Sequence, residues 1–192
     1  MKNSNVLLVF DCFGVVIHTV SEEWYRSIPG YEEKLDELLD IFDTGDRGDI
    51  PFEETITRAS KLFDYDPEET KRSWYESAKP LELCEFLPHL KEKYAIEMLS
   101  NASAEFLRDI FDKYDIEPLF DEVVISSDVR MIKPEKEIFE YAIKNMGKSY
   151  DKVFFMDDNP RNVEAAKKVG MIGILYKDLE TFKKDISKYI EI

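Results

Sequence analysis

Five short apolar runs punctuate the chain at residues 5–10, 94–99, 121–126, 152–156 and 172–176, and four of them lead into segments with apolar residues at three-and-four spacing. Runs this short, without polar alternation, read as strands covered on both faces. Ser103–Tyr114, Pro134–Met146, Pro160–Val169 and Leu179–Tyr189 carry the helical spacing, with Pro134 and Pro160 placed to open helices. Strands that alternate with helices predict right-handed crossovers. The expected class is therefore α/β, with a doubly wound, Rossmann-like parallel sheet of five strands.

The first connection, from residue 10 to residue 94, is far longer than a crossover needs. Its content is helical in pattern: Tyr31–Phe42, Pro51–Phe63 and Pro67–Ala78 are amphipathic, and Asp66-Pro67-Glu68-Glu69 is a strong helix start. We expect an inserted helical cap over residues 19–81, with Leu83–Lys93 leading back into a core of residues 1–18 and 82–192. Such an insertion would lie as a lid over the carboxyl edge of the sheet.

Composition narrows the partners. Acidic residues number 41 against 26 basic, for a net charge of −15, which repels nucleic acid and anionic lipid. The densest basic pairs, Lys167-Lys168 and Lys183-Lys184, fall on helical patterns and read as solvated faces. Only Cys12 and Cys84 are available for a disulfide, and Cys12 lies in the first strand-turn segment, so a reducing, cytoplasmic setting is expected. Lys2 and the apolar stretch after it resemble a leader, but Asp11 interrupts the run and no small-residue cleavage site follows. No segment has the length to cross a bilayer. Arg47-Gly48-Asp49 is taken as a coincidental adhesion-like triplet.

Chemistry is expected at the strand ends, where ligands of open α/β sheets sit. The first strand ends on Asp11, followed by Cys12-Phe13-Gly14. The second ends in Ser100-Asn101, the third in Ser126-Ser127-Asp128 and the fourth in Asp157-Asp158-Asn159. Ser-Asn after a strand is commonly a helix cap. Adjacent acids in a crevice repel and call for a cation or a lysine, and Lys133 stands close enough in the pattern to supply one.

Asp11, Ser100, Lys133 and Asp157-Asp158, in this order on successive strand-helix units, resemble the haloacid dehalogenase-like hydrolase superfamily over the whole chain. Phe10-Asp11 with Gly14-Val15, Leu99-Ser100-Asn101, Lys133-Pro134, and Asp157-Asp158-Asn159 through Asn162 are similar to its four motifs, and the insertion is similar to its C1 cap. Phe42-Asp43-Thr44-Gly45, Gly48-Asp49-Ile50 and Ile138-Phe139 bring it nearest to small-sugar-phosphate phosphatases and epoxide-hydrolase amino-terminal phosphatases.

The resemblance implies that Asp11 attacks phosphorus to form an aspartyl-phosphate, which water then hydrolyses. It implies Mg2+ held by Asp11, the carbonyl of Phe13 and Asp158, with Asp157 acting through water. Ser100 and Asn101 would contact the phosphoryl group, Lys133 would offset its charge, and Arg47 of the cap is a candidate substrate contact. Asn159 and Asn162 would hold the metal loop.

In the family's phosphatases the second position after the nucleophile is an Asp that moves the leaving-group proton, but here it is Phe13. Loss of such a group typically costs about 10²–10⁴-fold. Two other readings follow from this. The superfamily's dehalogenases also lack that Asp, although they work without metal and carry a tyrosine where this chain has Phe139. A catalytically impaired binding protein is the third reading. Trp24, Tyr25, Arg26 and Trp74 could contact substrate, against a simpler role in cap packing. The expected partner is a small phosphorylated metabolite, with no nucleic acid and no membrane, bound by a monomer or homodimer.

Overall fold

The structure is a computed structural model that describes residues 5–192, so Lys2 lies outside the described residues. Five parallel strands, β1 (Val6–Phe10), β2 (Ala95–Ser100), β3 (Glu122–Ile125), β4 (Lys152–Asp157) and β5 (Ile172–Leu175), form one sheet in the order β3-β2-β1-β4-β5. The order reverses at β1, which pairs with β2 on one side and β4 on the other. The crevice above a reversal of this kind is the binding position of doubly wound sheets.

All five residues of β1 are buried, and they serve the two faces alternately: Leu8 and Phe10 enter one core, Leu7 and Val9 the other. That is the period of two of a strand, applied where both faces are covered. Each such side chain contributes about 1.5–3 kcal/mol by leaving water.

The insertion contains α1 (Ser21–Arg26), a 3-10 turn at Tyr31–Lys34, α2 (Leu35–Asp46), α3 (Phe52–Leu62) and α4 (Pro67–Ser77). The core then adds α5 (Leu83–Lys93), α6 (Ala104–Tyr114), the short α7 (Ser126–Val129), α8 (Lys136–Asn145), α9 (Pro160–Lys168) and α10 (Leu179–Ile186). Helices α5, α6 and α10 cover the face that carries Phe10, and α8 and α9 cover the face that carries Leu7. Two backbone bonds close the neck of the insertion, His18 N–H to the Lys79 carbonyl at 3.0 Å and Leu81 N–H to the Val16 carbonyl at 2.8 Å.

Several expected boundaries shift for local reasons. The segment expected as a helix over Tyr31–Phe42 opens as a 3-10 turn, and α2 runs on to Asp46. Gly45 permits this, because a Cβ there would lie 2.3 Å from Thr55 Oγ1 and would force α2 off α3. Pro134 does not open a helix. The Lys133–Pro134 peptide is cis, Glu135 N–H closes a turn on the Ile132 carbonyl, and α8 starts only at Lys136. Asp66 caps α4 as its sequence suggests, accepting the Glu69 N–H at 2.9 Å.

Candidate active site

Asp11 follows β1 directly, and its own N–H still bonds to the Met156 carbonyl of β4 at 2.8 Å. Its Oδ1 receives two donors, the Cys12 N–H at 2.7 Å and Lys133 Nζ at 2.6 Å. Among the described residues Oδ2 receives none, which leaves it available to a ligand. Lys133 Nζ also lies 2.8 Å from Asp157 Oδ2 and over the Phe155 ring at 5.5 Å. Burial and the Asp157 charge raise the Asp11 carboxyl well above its usual range, against the pull of Lys133. Burial works to lower Lys133, but Asp11 and Asp157 outweigh it and hold the lysine charged.

Asp157 is fully engaged. Besides Lys133 it accepts the Asn159 N–H at 2.8 Å, and Asn162 Nδ2 lies 3.1 Å and 3.2 Å from its two oxygens. Asn159 caps α9 through the Arg161 N–H at 2.9 Å. Both asparagines thus hold the loop after β4, as their places in the sequence imply. Asp158 is the most open of the three acids, and burial followed by the Asp157 charge lifts it to about 6. It rests on Gly14, whose φ is +80° and where a Cβ would lie 2.1 Å from Asp158 Oδ2.

One oxygen from each of Asp11, Asp157 and Asp158 lies within 4.8 Å of the others. Three acids face the single ammonium of Lys133 in a site that raises two of them, so the cluster carries uncompensated negative charge. An all-oxygen set of this kind fits a hard divalent cation such as magnesium.

The remaining sequence candidates fall in different places. Asn101 faces the crevice, but its amide is engaged with Lys133: Nδ2 donates to the Lys133 carbonyl at 2.9 Å, and Oδ1 accepts the Lys133 N–H at 2.8 Å. It positions the lysine. Ser100 is fully buried beside the Cys12 thiol, and its Oγ meets no nitrogen or oxygen partner among the described residues. Arg47 is not brought to the crevice, because its guanidinium is engaged by Glu135, with Nη1–Oε2 at 3.1 Å and Nη2–Oε1 at 2.8 Å. The Phe13 ring stacks on Phe106 at 6.1 Å and 8°. Trp24 packs edge-on against Phe63, Tyr65 and Trp74, Arg26 pairs with Glu22, and Tyr25 lines the crevice.

A second cavity adjoins the crevice. It is a narrow slot of about 60 Å³ between the insertion and α6, walled by Phe13, Phe42, Phe52, Trp74 and Phe106. Phe13, Ser21, Phe42, Asp46 and Asn101 border both spaces, so the two are immediate neighbours. Asp46 was not identified from sequence. It ends an acidic amphipathic helix, where a carboxylate ordinarily reads as solvated, and only the docking of α2 on the core reveals it.

Residues 6–170 match the family described as haloacid dehalogenase-like hydrolase. The chain is 37% identical over 71 residues to a glyceraldehyde 3-phosphate phosphatase of Methanocaldococcus jannaschii, covering 34% of this chain and 31% of that protein. It is 32% identical over 84 residues to the sesquiterpene phosphatase astK of Aspergillus oryzae, covering 44% and 43%. The chain spans half or less of the length of the curated relatives it matches. Among solved structures, the magnesium complex of a HAD family enzyme from Bacteroides thetaiotaomicron superposes with a TM-score of 0.74 at 25% identity, covering 97% of this chain and 98% of that one. The same enzyme with magnesium and inorganic phosphate gives 0.69 at 25%, covering 86% and 90%.

Proposed function

The chain belongs to the haloacid dehalogenase-like hydrolases, and from that premise we propose that it is a magnesium-dependent phosphatase acting on a small phosphorylated metabolite through an aspartyl-phosphate on Asp11. The observation that carries the reading is the convergence of Asp11, Asp157 and Asp158 around one buried lysine, with Gly14 making room for Asp158. Magnesium in relatives of this fold, and phosphatases among the curated relatives, support it.

Asp11, the Phe13 carbonyl and Asp158 would hold the magnesium ion, with Asp157 acting through water. When bound, the ion supplies the charge neutralisation that lets an anionic nucleophile meet a phosphate dianion. Asp11 Oδ2, left free while Oδ1 is anchored, is the attacking atom, and an anchored carboxylate keeps one approach direction. Lys133 neutralises charge on Asp11 and on the transferring group, and Asn101 fixes the lysine backbone. A buried hydroxyl without a partner costs about 1–3 kcal/mol. Ser100 would recover that by donating to a phosphoryl oxygen.

We take residues 19–81 as a cap closed over the core of residues 1–18 and 82–192. Its slot favours a leaving group with an apolar body, in keeping with a sesquiterpene phosphatase among the relatives. The test is phosphate release from p-nitrophenyl phosphate with and without magnesium. The expected result is metal-dependent turnover that Asp11→Asn abolishes. Metal-independent halide release from 2-haloacids would move the case to dehalogenation, and silence on all substrates with retained phosphate binding would favour an impaired relative.

A further inference from the structure

On the phosphatase reading above, we propose that Asp46 of the cap carries the leaving-group proton that Phe13 cannot carry. Among the described residues, Asp46 is the one carboxylate bordering both the crevice that holds Asp11 and the aromatic slot next to it. A substrate with its phosphoryl group at Asp11 and its body in the slot has its scissile oxygen at this junction. Among the described residues no hydrogen bond or ion pair engages the Asp46 carboxyl, whereas Asp157 is held by three groups and Asp11 by two.

The backbone that carries this carboxyl is held in place. Ser126 Oγ of the core donates to the Asp46 carbonyl at 2.5 Å, and the adjacent Arg47 forks onto Glu135. Gly48, at φ +76°, lets the chain pass so close to Ser127 that a Cβ would lie 2.7 Å from its carbonyl oxygen. The end of α2 is therefore fixed to the core loop that also presents Lys133. Burial, then the charge of Asp43, lift the Asp46 carboxyl to about 7 against the pull of Lys133, which suits a group that must both give and take a proton near neutrality. Glu22 and Tyr25 of α1, with Asp11 and Asp158, are the other titratable groups on the same crevice.

The step balances. As Asp11 Oδ2 bonds to phosphorus and the ester P–O bond breaks, protonated Asp46 gives its proton to the departing oxygen, releasing the alcohol. The Asp46 carboxylate then takes a proton from the water that attacks the aspartyl-phosphate. Phosphate leaves, Asp11 is regenerated, and Asp46 is again protonated.

Asp46→Asn is isosteric and tests the role with two magnesium-loaded assays, 2-phenylethyl phosphate for a poor leaving group and p-nitrophenyl phosphate for a good one. The expected result is a loss in kcat of about 10²–10³-fold on the alkyl ester and less than about tenfold on the aryl ester. Binding of inorganic phosphate should be unchanged, and Asp46→Glu should recover part of the alkyl-ester rate. Equal losses on both substrates, or no loss on either, would overturn the role of Asp46 while leaving the phosphatase reading standing. Silence of the wild-type protein on both esters would overturn that reading, and the role of Asp46 with it.

Discussion

Phe52 of the insertion stacks on Phe106 of the core at 4.9 Å with 13° between planes, so Phe106 stacks with Phe52 as well as with Phe13. Phe13 therefore packs into the aromatic contact between insertion and core. In a double-mutant cycle between Phe13→Ala and Phe106→Ala, the expected coupling is about 0.5–1.5 kcal/mol, read from urea denaturation. Coupling near zero would mean that the stack contributes only its separate burials.

Removing Lys133 leaves Asp11 and Asp157 buried without their cation. Lys133→Met should cost about 3–5 kcal/mol at neutral pH. The folded-state carboxyl of Asp11 already lies above its ordinary 3.8 and would rise further, so the folded variant binds a proton more readily than the unfolded chain. Its deficit should therefore shrink as pH falls toward that ordinary value, and grow as pH rises. Denaturation curves at a series of pH values will show the trend.

Magnesium should raise the melting temperature of the wild-type protein, since a ligand at about 100 times its Kd adds about 2.7 kcal/mol. Asp158→Asn should abolish the shift. Gly14→Ala should do the same without touching a ligand, because its methyl would occupy the place of Asp158 Oδ2. A full shift in Gly14→Ala would show that Asp158 is not needed for the ion.

Glu97 sits in the middle of β2 with neither carboxylate oxygen partnered among the described residues, and burial followed by the Glu122 charge raises it to about 9. It is protonated when folded and ionised when unfolded across the window from its ordinary 4.5 up to about 9. Stability is therefore fullest below that window and falls through it, by about 1.4 kcal/mol per pH unit while the one-proton difference lasts. Glu97→Gln should flatten this slope and stabilise the protein above pH 7. An unchanged slope would place the pH dependence elsewhere.

The aromatic slot predicts a preference among esters of equal charge. Aryl and arylalkyl phosphates should show a lower KM than sugar phosphates, and Trp74→Ala should narrow the difference. Equal KM values would put the substrate body outside the slot.

The strands and the acids at their ends were legible because each acid follows a run whose burial is written in consecutive apolar residues, as in Val6–Phe10 before Asp11. Lys133 was legible for a related reason, as a cation close to strand ends rich in acids. Contacts between distant segments were not. Arg47 meets Glu135 across 88 positions, and Asp46 is desolvated only because Ser126 and Ser127 receive the end of α2. Pro134 misled because a proline that suits the first turn of a helix suits a tight turn equally well.

Lys133 has given up its water in the folded state and is held by two carboxylates before any substrate arrives. On the phosphatase reading, the site would therefore meet a phosphoryl group with its dipoles already oriented, and little solvent reorganisation would be left for the reaction itself. That readiness is carried as latent instability in the ground-state fold. An inert amide in place of one of the crowded acids should accordingly leave a sturdier protein than the active one, with the conformational stability of the chain and its reactivity drawn in opposite directions at the same few atoms.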